Sequence, residues 1–433
     1  MIRNACVNDG SRESGQEVRN ADTLDAFLGG VGLDTEMFEA APGRVSLVSR
    51  IEGAQPGAPS LCLMGHTDVV PVNPDGWDRD PFAGELVDGE VWGRGAVDML
   101  NLTATMAVGF RELARSGFRP RGDVILFAVA DEESGSIYGA KWMAEHHWDA
   151  IGADFVLTEG GGLHGGTAQA PVVTVSVAEK GVSWRRLRVR GEPGHGSMPF
   201  RTNNALVKAA AVVGRLADYA PSARLHEFWG WHVAALDLDD AAKRVLLDAG
   251  AIDDALASMT DVGTARHLHA CSHTTFSCNV VAGGSKTNVI PDRVDLEVDV
   301  RMLPGEDSAA IDRHLRGALG DLADQVEIDT IFEHAPSTSP INTRLWDSIE
   351  RAVEMRFSSL RLAPILHMGF TDARVYRERG SVAYGAGLFD SSMASGDFAR
   401  RFHGHNERID VESLRLTTDF WLDVVRDFDQ QNH

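Results

Sequence analysis

Long apolar runs are missing from this sequence. Nowhere do its 433 residues approach the roughly 18 consecutive apolar positions that a membrane-spanning helix requires. The opening residues, MIRNACVNDG, lack the apolar core of a signal peptide, which argues against export by the general secretory route. Cysteine is scarce: Cys6, Cys62, Cys271 and Cys278 show no CxxC spacing and are too few to staple a chain of this length, so a reducing, cytoplasmic setting is expected. Positive charge is also short, with 41 Lys and Arg against 63 Asp and Glu and a net charge of −22. No Lys/Arg block reverses this locally, so neither nucleic acid nor a membrane surface is expected as a partner. An anionic substrate would then need its own cationic anchor, because charges act over a Debye length of only about 8 Å. Internal repeats and low-complexity tracts are absent.

What is present is a composition of 43% hydrophobic residues, enough to bury a large core in two or three domains. From residue 45 the pattern alternates between strand and helix: RVSLVSRI, SLCLMGHTD, a helix after Asp98, DVILFAVAD, and a helix from Tyr138 to His147. Met99, Leu102, Met106, Phe110 and Leu113 recur at helical spacing on one face. This is the texture of an α/β sheet. Near Lys180 the texture changes. VSWRRLRVR and DRVDLEVDVRM alternate as strands, and Leu206, Ala209, Ala210, Val213 and Leu216 stripe a helix. The expected organisation is a mixed-sheet α/β catalytic domain in two parts, residues 1–179 and 336–433, around an inserted α+β domain at 180–335. That inserted domain carries a helical insertion at about 221–270.

Acids and histidines gather at predicted strand ends. FAVADEESGS runs an apolar strand into Asp131, Glu132 and Glu133, although an unpaired carboxylate is costly beside an apolar core. LCLMGHTD places His66 and Asp68 on one face, a usual arrangement of a metal-ligating imidazole and its supporting carboxylate. Asp98 follows two glycines at a loop-to-helix junction, Glu159 ends another strand, and FHGHNER offers His403 and His405. Each is weak alone, but such clusters gathered at the carboxyl edge of one sheet point to a ligand site. Five ligands drawn as His66, Asp98, Glu133, Glu159 and His403 carry three negative charges, and a bridging hydroxide makes four, which two divalent ions cancel. The donor set suits zinc, or cobalt and manganese. Of two adjacent glutamates, Glu133 is expected to ligate while Glu132 takes the proton of the attacking water.

These residues resemble the dinuclear zinc amidohydrolases that include aminoacylases, acetylornithine deacetylase, succinyl-diaminopimelate desuccinylase, carboxypeptidase S and glutamate carboxypeptidase. The resemblance rests on GHTDVVP, GRGAVDM, ADEESGS, TEGG, GEPGHGSMP, TNVIP, GFTDAR and HGHNE, in that order across residues 65–407. It implies a zinc-hydrolase catalytic domain with a ferredoxin-like lid and dimerisation domain. It implies that His66 and Glu159 bind one metal, that Glu133 and His403 bind the other, and that Asp98 bridges them before a cis peptide. Asp68 would orient His66, and Glu132 would be the general base. His403 outranks His405, because the pattern His-x-x-Asn/Asp-Glu falls on His403, Asn406 and Glu407.

His195 would reach the partner subunit's site to stabilise an oxyanion, making a homodimer a catalytic requirement; taken alone, GHGSMP reads as a surface turn. Asn288 and Arg301 match substrate-binding positions, with Arg301 the candidate cationic anchor and a solvated lid arginine its competing reading. The implied reaction is hydrolysis of an amide next to a carboxylate, with N-acyl amino acids as substrates. Short peptides, as in a dipeptidase or carboxypeptidase, are the alternative, and a silent metal-binding scaffold is the distant one. One departure stands out: Leu100 and Asn101 replace the Lys-Gly usual after the DM of this family. Phe228, Trp229 and Trp231 in the insertion either line an apolar acyl pocket or pack the dimer, and packing is the expectation.

Overall fold

The computed structural model describes residues 1–431 apart from Asp237 and Ala394. Its main element is a mixed sheet of ten strands. Strand Leu61–His66 is buried at every position, which is why it reads as a continuous apolar run rather than an alternating one. It pairs in parallel with Val124–Val129 on one side and with Phe155–Thr158 on the other. The carboxyl ends of these three strands therefore share one edge, and the polar residues that follow them meet there. Helix Leu100–Arg115 packs on this sheet through Leu102, Met106, Phe110 and Leu113, all buried in the main core with Met99. The C-terminal helix Val411–Gln430 covers it, burying Phe420, Trp421, Val424 and Val425.

A second sheet takes the order Thr275–Gly283, Arg293–Met302, Gly181–Arg190, Val326–His334, and every pairing in it is antiparallel. With helices Ala205–Asp218 and Ser308–Leu319 the chain order is βαββαβ, and the spatial order of the strands is the ferredoxin-like one. Strand Arg293–Met302 buries Val294, Leu296, Val298, Val300 and Met302 in strict alternation, so its period sets which face meets the helices.

Two details differ from the sequence reading. The buried row of helix Ala205–Asp218 is Ala205, Ala209, Val212 and Leu216, whereas Leu206 is half exposed and Ala210 faces solvent. The helix is apolar on two faces, so periodicity alone could not tell the core side from the outer one. The insertion is also not confined to the small sheet. Its helix Glu227–Ala234 lies against strand Arg361–His367 of the large sheet, and Phe228 joins the main core. Trp229 is buried in the insertion's own core, and its indole N–H donates to the Leu246 carbonyl at 2.8 Å, while Trp231 is partly exposed.

Candidate metal centre

Three strand ends, one helix start and one loop supply the site. His66 closes strand Leu61–His66. Its Nδ1 lies 3.0 Å from the Asp68 carbonyl oxygen, which can only accept, so Nδ1 carries a proton and Nε2 is the ring nitrogen turned to the acids. That Nε2 stands 3.2 Å from Asp98 Oδ1 and 3.9 Å from Glu159 Oε1. Asp98 sits just before helix Leu100–Arg115, and its other oxygen, Oδ2, lies 2.7 Å from His403 Nε2. The same His403 nitrogen is 3.3 Å from Glu133 Oε2. Asp98 thus lies between the two histidines, and the Asp98–Met99 peptide is cis.

The three acids of DEES have different surroundings. Asp131 takes a left-handed backbone conformation, φ 63°, and is tied to the frame: Arg44 Nη2 at 2.6 Å, the Asn8 amide at 3.0 Å and the Tyr138 N–H at 2.8 Å. Glu132 and Glu133 face the cluster. Oxygens and nitrogens of His66, Glu132 and Glu159 lie within 4.8 Å of one another, as do those of His66, Asp98 and Glu133. Asp68 accepts the backbone N–H groups of Glu132 at 3.3 Å and Glu133 at 3.2 Å, and so places both glutamates as well as His66.

The electrostatics fit a cation. Burial, followed by the charge of Glu159, pushes the Glu132 carboxyl well up; burial and Asp98 do the same to Glu159 and, less strongly, to Glu133. Burial works against both members of the His66–Asp98 pair. Hydrogen bonds to Asp68 and Asp98 nevertheless hold His66 well above its usual range, and those from His403 and His66 hold Asp98 below its own. Glu133 Oε1 is buried without a hydrogen-bond partner. A crowded set of acids, an orphaned buried oxygen and an imidazole nitrogen whose proton a cation would displace form a donor set for divalent ions.

Residues not singled out as functional from the sequence hold this arrangement. Glu407 Oε1 accepts the N–H groups of Val97 at 2.7 Å and Asp98 at 3.2 Å, while its Oε2 pairs with Arg94 at 2.6 Å, all of it buried. Arg94 also donates to the His403 carbonyl at 3.2 Å, linking the Asp98 and His403 loops. Asn8, near the start of the chain, donates to Asp68 Oδ2 at 2.8 Å. Gly385 approaches the Glu159 carbonyl so closely that a Cβ there would stand 1.9 Å from it. His367 ends strand Arg361–His367 beside Gly160, and the signal that singled out His66, a histidine at a strand end, could have found it. His405 instead lies against Gly76.

His195 and Asn288 meet elsewhere. Gly194–His195 pairs with Val289–Ile290, and the Gly196 N–H donates to the Asn288 carbonyl at 2.8 Å. His195 is exposed, and its Nδ1 accepts the Ser197 N–H at 3.2 Å, which leaves the ring proton on Nε2. Arg301 pairs with Asp299 at 2.9 Å and lies over the Phe370 ring, which Arg374 also faces. Among the described residues, no hydrogen bond or ion pair joins His195, Asn288 or Arg301 to the carboxylate cluster. Leu100 and Asn101 line a cavity of about 300 Å³ beside Met1 and Ile2.

The sequence profile of Peptidase family M20/M25/M40 matches residues 62–427. The chain is 26% identical over 402 residues to the N-fatty-acyl-amino acid synthase/hydrolase PM20D1 of Xenopus tropicalis, covering 90% of this chain and 76% of that protein. It is 25% identical over 400 residues to aminoacylase-1 of Mus musculus, covering 91% and 86%. In fold it is similar to the M20 family metallo-carboxypeptidase Sso-CP2 from Sulfolobus solfataricus. The TM-score is 0.73 at 17% identity, with 99% and 98% of the two chains covered. No helix among the described residues is long and apolar enough to cross a membrane.

Proposed function

The chain belongs to peptidase family M20/M25/M40 and is a metal-dependent hydrolase, and from that premise we propose that it cleaves the amide bond of N-acyl amino acids. The observation that carries this reading is the convergence of His66, Asp98, Glu133, Glu159 and His403 around a buried Glu132. Relatives named as an acyl-amino-acid hydrolase and an aminoacylase support the substrate class. His66 and Glu159 would hold one divalent ion and Glu133 and His403 the other, with Asp98 between them. When bound, two such ions, zinc by the donor types with cobalt or manganese as alternatives, polarise a carbonyl and acidify water.

The remaining chemistry belongs to the chain. Glu132, buried and flanked by acids, takes the proton of the attacking water and passes it to the leaving nitrogen. Asp68 fixes the tautomer of His66 and the backbone of Glu132 together. His195, with its proton on Nε2, is arranged to donate to the oxyanion, and we assign it to the site of a second subunit. Exposed Met198, Phe200, Leu206, Val207 and Val281 on the same small domain support a homodimer. Arg301 would exchange Asp299 for the substrate carboxylate, and Asn288 would contact the substrate beside His195.

The test is primary-amine release by metal-loaded protein from a panel of N-acyl amino acids, dipeptides and carboxypeptidase substrates. Turnover of the acyl amino acids alone is expected. Turnover confined to the peptides would replace the proposal with a peptidase, which would use the same groups.

A further inference from the structure

A second set of metal-ligating side chains lies in the helical insertion, made of residues outside the carboxylate cluster. His267 and Cys271 are one turn apart on helix Val262–Ser272, so both side chains share a face, and Cys271 Sγ is 3.8 Å from His267 Nε2. His232, on helix Glu227–Ala234, faces them: its ring centroid is 5.2 Å from that of His267, and one donor atom from each of the three residues lies within 4.8 Å of the others. His232 is only 9% exposed, yet neither of its ring nitrogens has a hydrogen-bond partner. A buried imidazole with two unmet nitrogens is an exception that calls for a ligand.

We propose that His232, His267 and Cys271 bind a third metal ion, a zinc-type divalent cation, which clamps the two insertion helices together. Tetrahedral zinc bonds imidazole nitrogen at about 2.0–2.1 Å and thiolate sulfur at about 2.3 Å, which puts neighbouring donors roughly 3.5 Å apart. The Cys271–His267 separation is already close to this, and the third donor needs only a small side-chain adjustment. One sulfur and two nitrogens select zinc or cobalt over magnesium and calcium. The three donors leave one position of a tetrahedral ion open, and His267, on the exposed side, provides a route of entry. Burial keeps the His232 imidazole neutral and pushes the Cys271 thiol up to about 12, so the ion would displace the thiol proton to solvent as it binds. The clamp bears on the catalytic half, because helix Glu227–Ala234 rests on strand Arg361–His367 and Met368 packs against the insertion core.

The two centres differ in one readable respect: the carboxylate cluster contains no sulfur. Full-length protein, stripped with chelator and reloaded with cobalt(II) under reducing conditions, should bind three ions per chain and develop a near-ultraviolet thiolate-to-cobalt charge-transfer band. Cys271→Ser and His267→Ala should each lose the third ion and the band while retaining two ions. The His267→Ala change lies at the surface, so it reports even if Cys271→Ser fails to fold. Two ions without a thiolate band in the unaltered protein would overturn the proposal, leaving a packed histidine–cysteine cluster. So would a band that survives Cys271→Ser, since it would come from another cysteine. Neither readout depends on the substrate or on turnover.

Discussion

The backbone N–H of Glu132 donates to Asp68 Oδ1 at 3.3 Å, and the same carboxylate faces His66 Nδ1 at 3.4 Å. One buried acid therefore sets the position of both a candidate base and a candidate metal ligand. Replacing Asp68 with Ala frees the turn that carries Glu132 and Glu133 and removes the carboxylate beside the imidazole, whose Nδ1 then keeps the backbone carbonyl alone. Activity or metal affinity should fall on the order of 10- to 100-fold without loss of the fold, as read by steady-state rates and metal titration. An unchanged variant would remove Asp68 from the account.

Glu407 and Arg94 form a buried ion pair that also receives the Val97 and Asp98 N–H groups. In Glu407→Ala the guanidinium and two amides lose their partner in a water-poor setting. The expected destabilisation is about 3–5 kcal/mol, measured by chemical denaturation, together with weaker metal binding. A loss within ±0.5 kcal/mol, the range of ordinary surface changes, would contradict this.

If His195 serves the neighbouring subunit, two inactive variants should complement each other. His195→Ala and Glu132→Gln homodimers are expected to be inactive, whereas each mixed dimer holds one site with both groups intact. Random reassortment should restore about a quarter of the wild-type rate. Phe200→Asp at the exposed face should yield inactive monomers by light scattering. No recovery on mixing would place His195 outside the reaction.

His232 gives the metal-free protein a pH dependence. Burial, with a contribution from His267, lowers its imidazole from 6.5 to about 4. The unfolded chain then takes up a proton that the folded chain refuses, so the stabilisation is complete above about 6.5 and is lost as pH falls toward 4. The window is worth ~3 kcal/mol for one such group. His232→Leu in chelator-treated protein should flatten the stability profile over this range relative to wild type. Parallel profiles would show that His232 titrates normally.

Much of this site was legible because the relevant residues follow strands with strong local patterns. His66, Glu132, Glu133 and Glu159 end apolar runs, and parallel pairing of neighbouring strands brings such ends together. Asp98 was legible for the same reason at the start of an amphipathic helix. The supports were not. Asn8 reaches Asp68 across 60 residues, and Arg94 reaches Glu407 across 313; a polar residue in a loop carries no local sign of a partner so distant. The outer face of helix Ala205–Asp218 has no sequence signature of its own, because Leu206 and Ala210 are as apolar as the buried row. The cluster of His232, His267 and Cys271 is not legible in the sequence, because it forms only when two helices pack.

The central claim is that Glu132 moves the proton in a metal-dependent amide hydrolysis, and the most direct measurement is turnover and metal content of Glu132→Gln beside the wild type. The account predicts the same fold, the same number of bound ions at the carboxylate cluster, and a rate on N-acyl amino acids lower by at least about 10²-fold. A variant that keeps its metals and still turns over at the wild-type rate would contradict it.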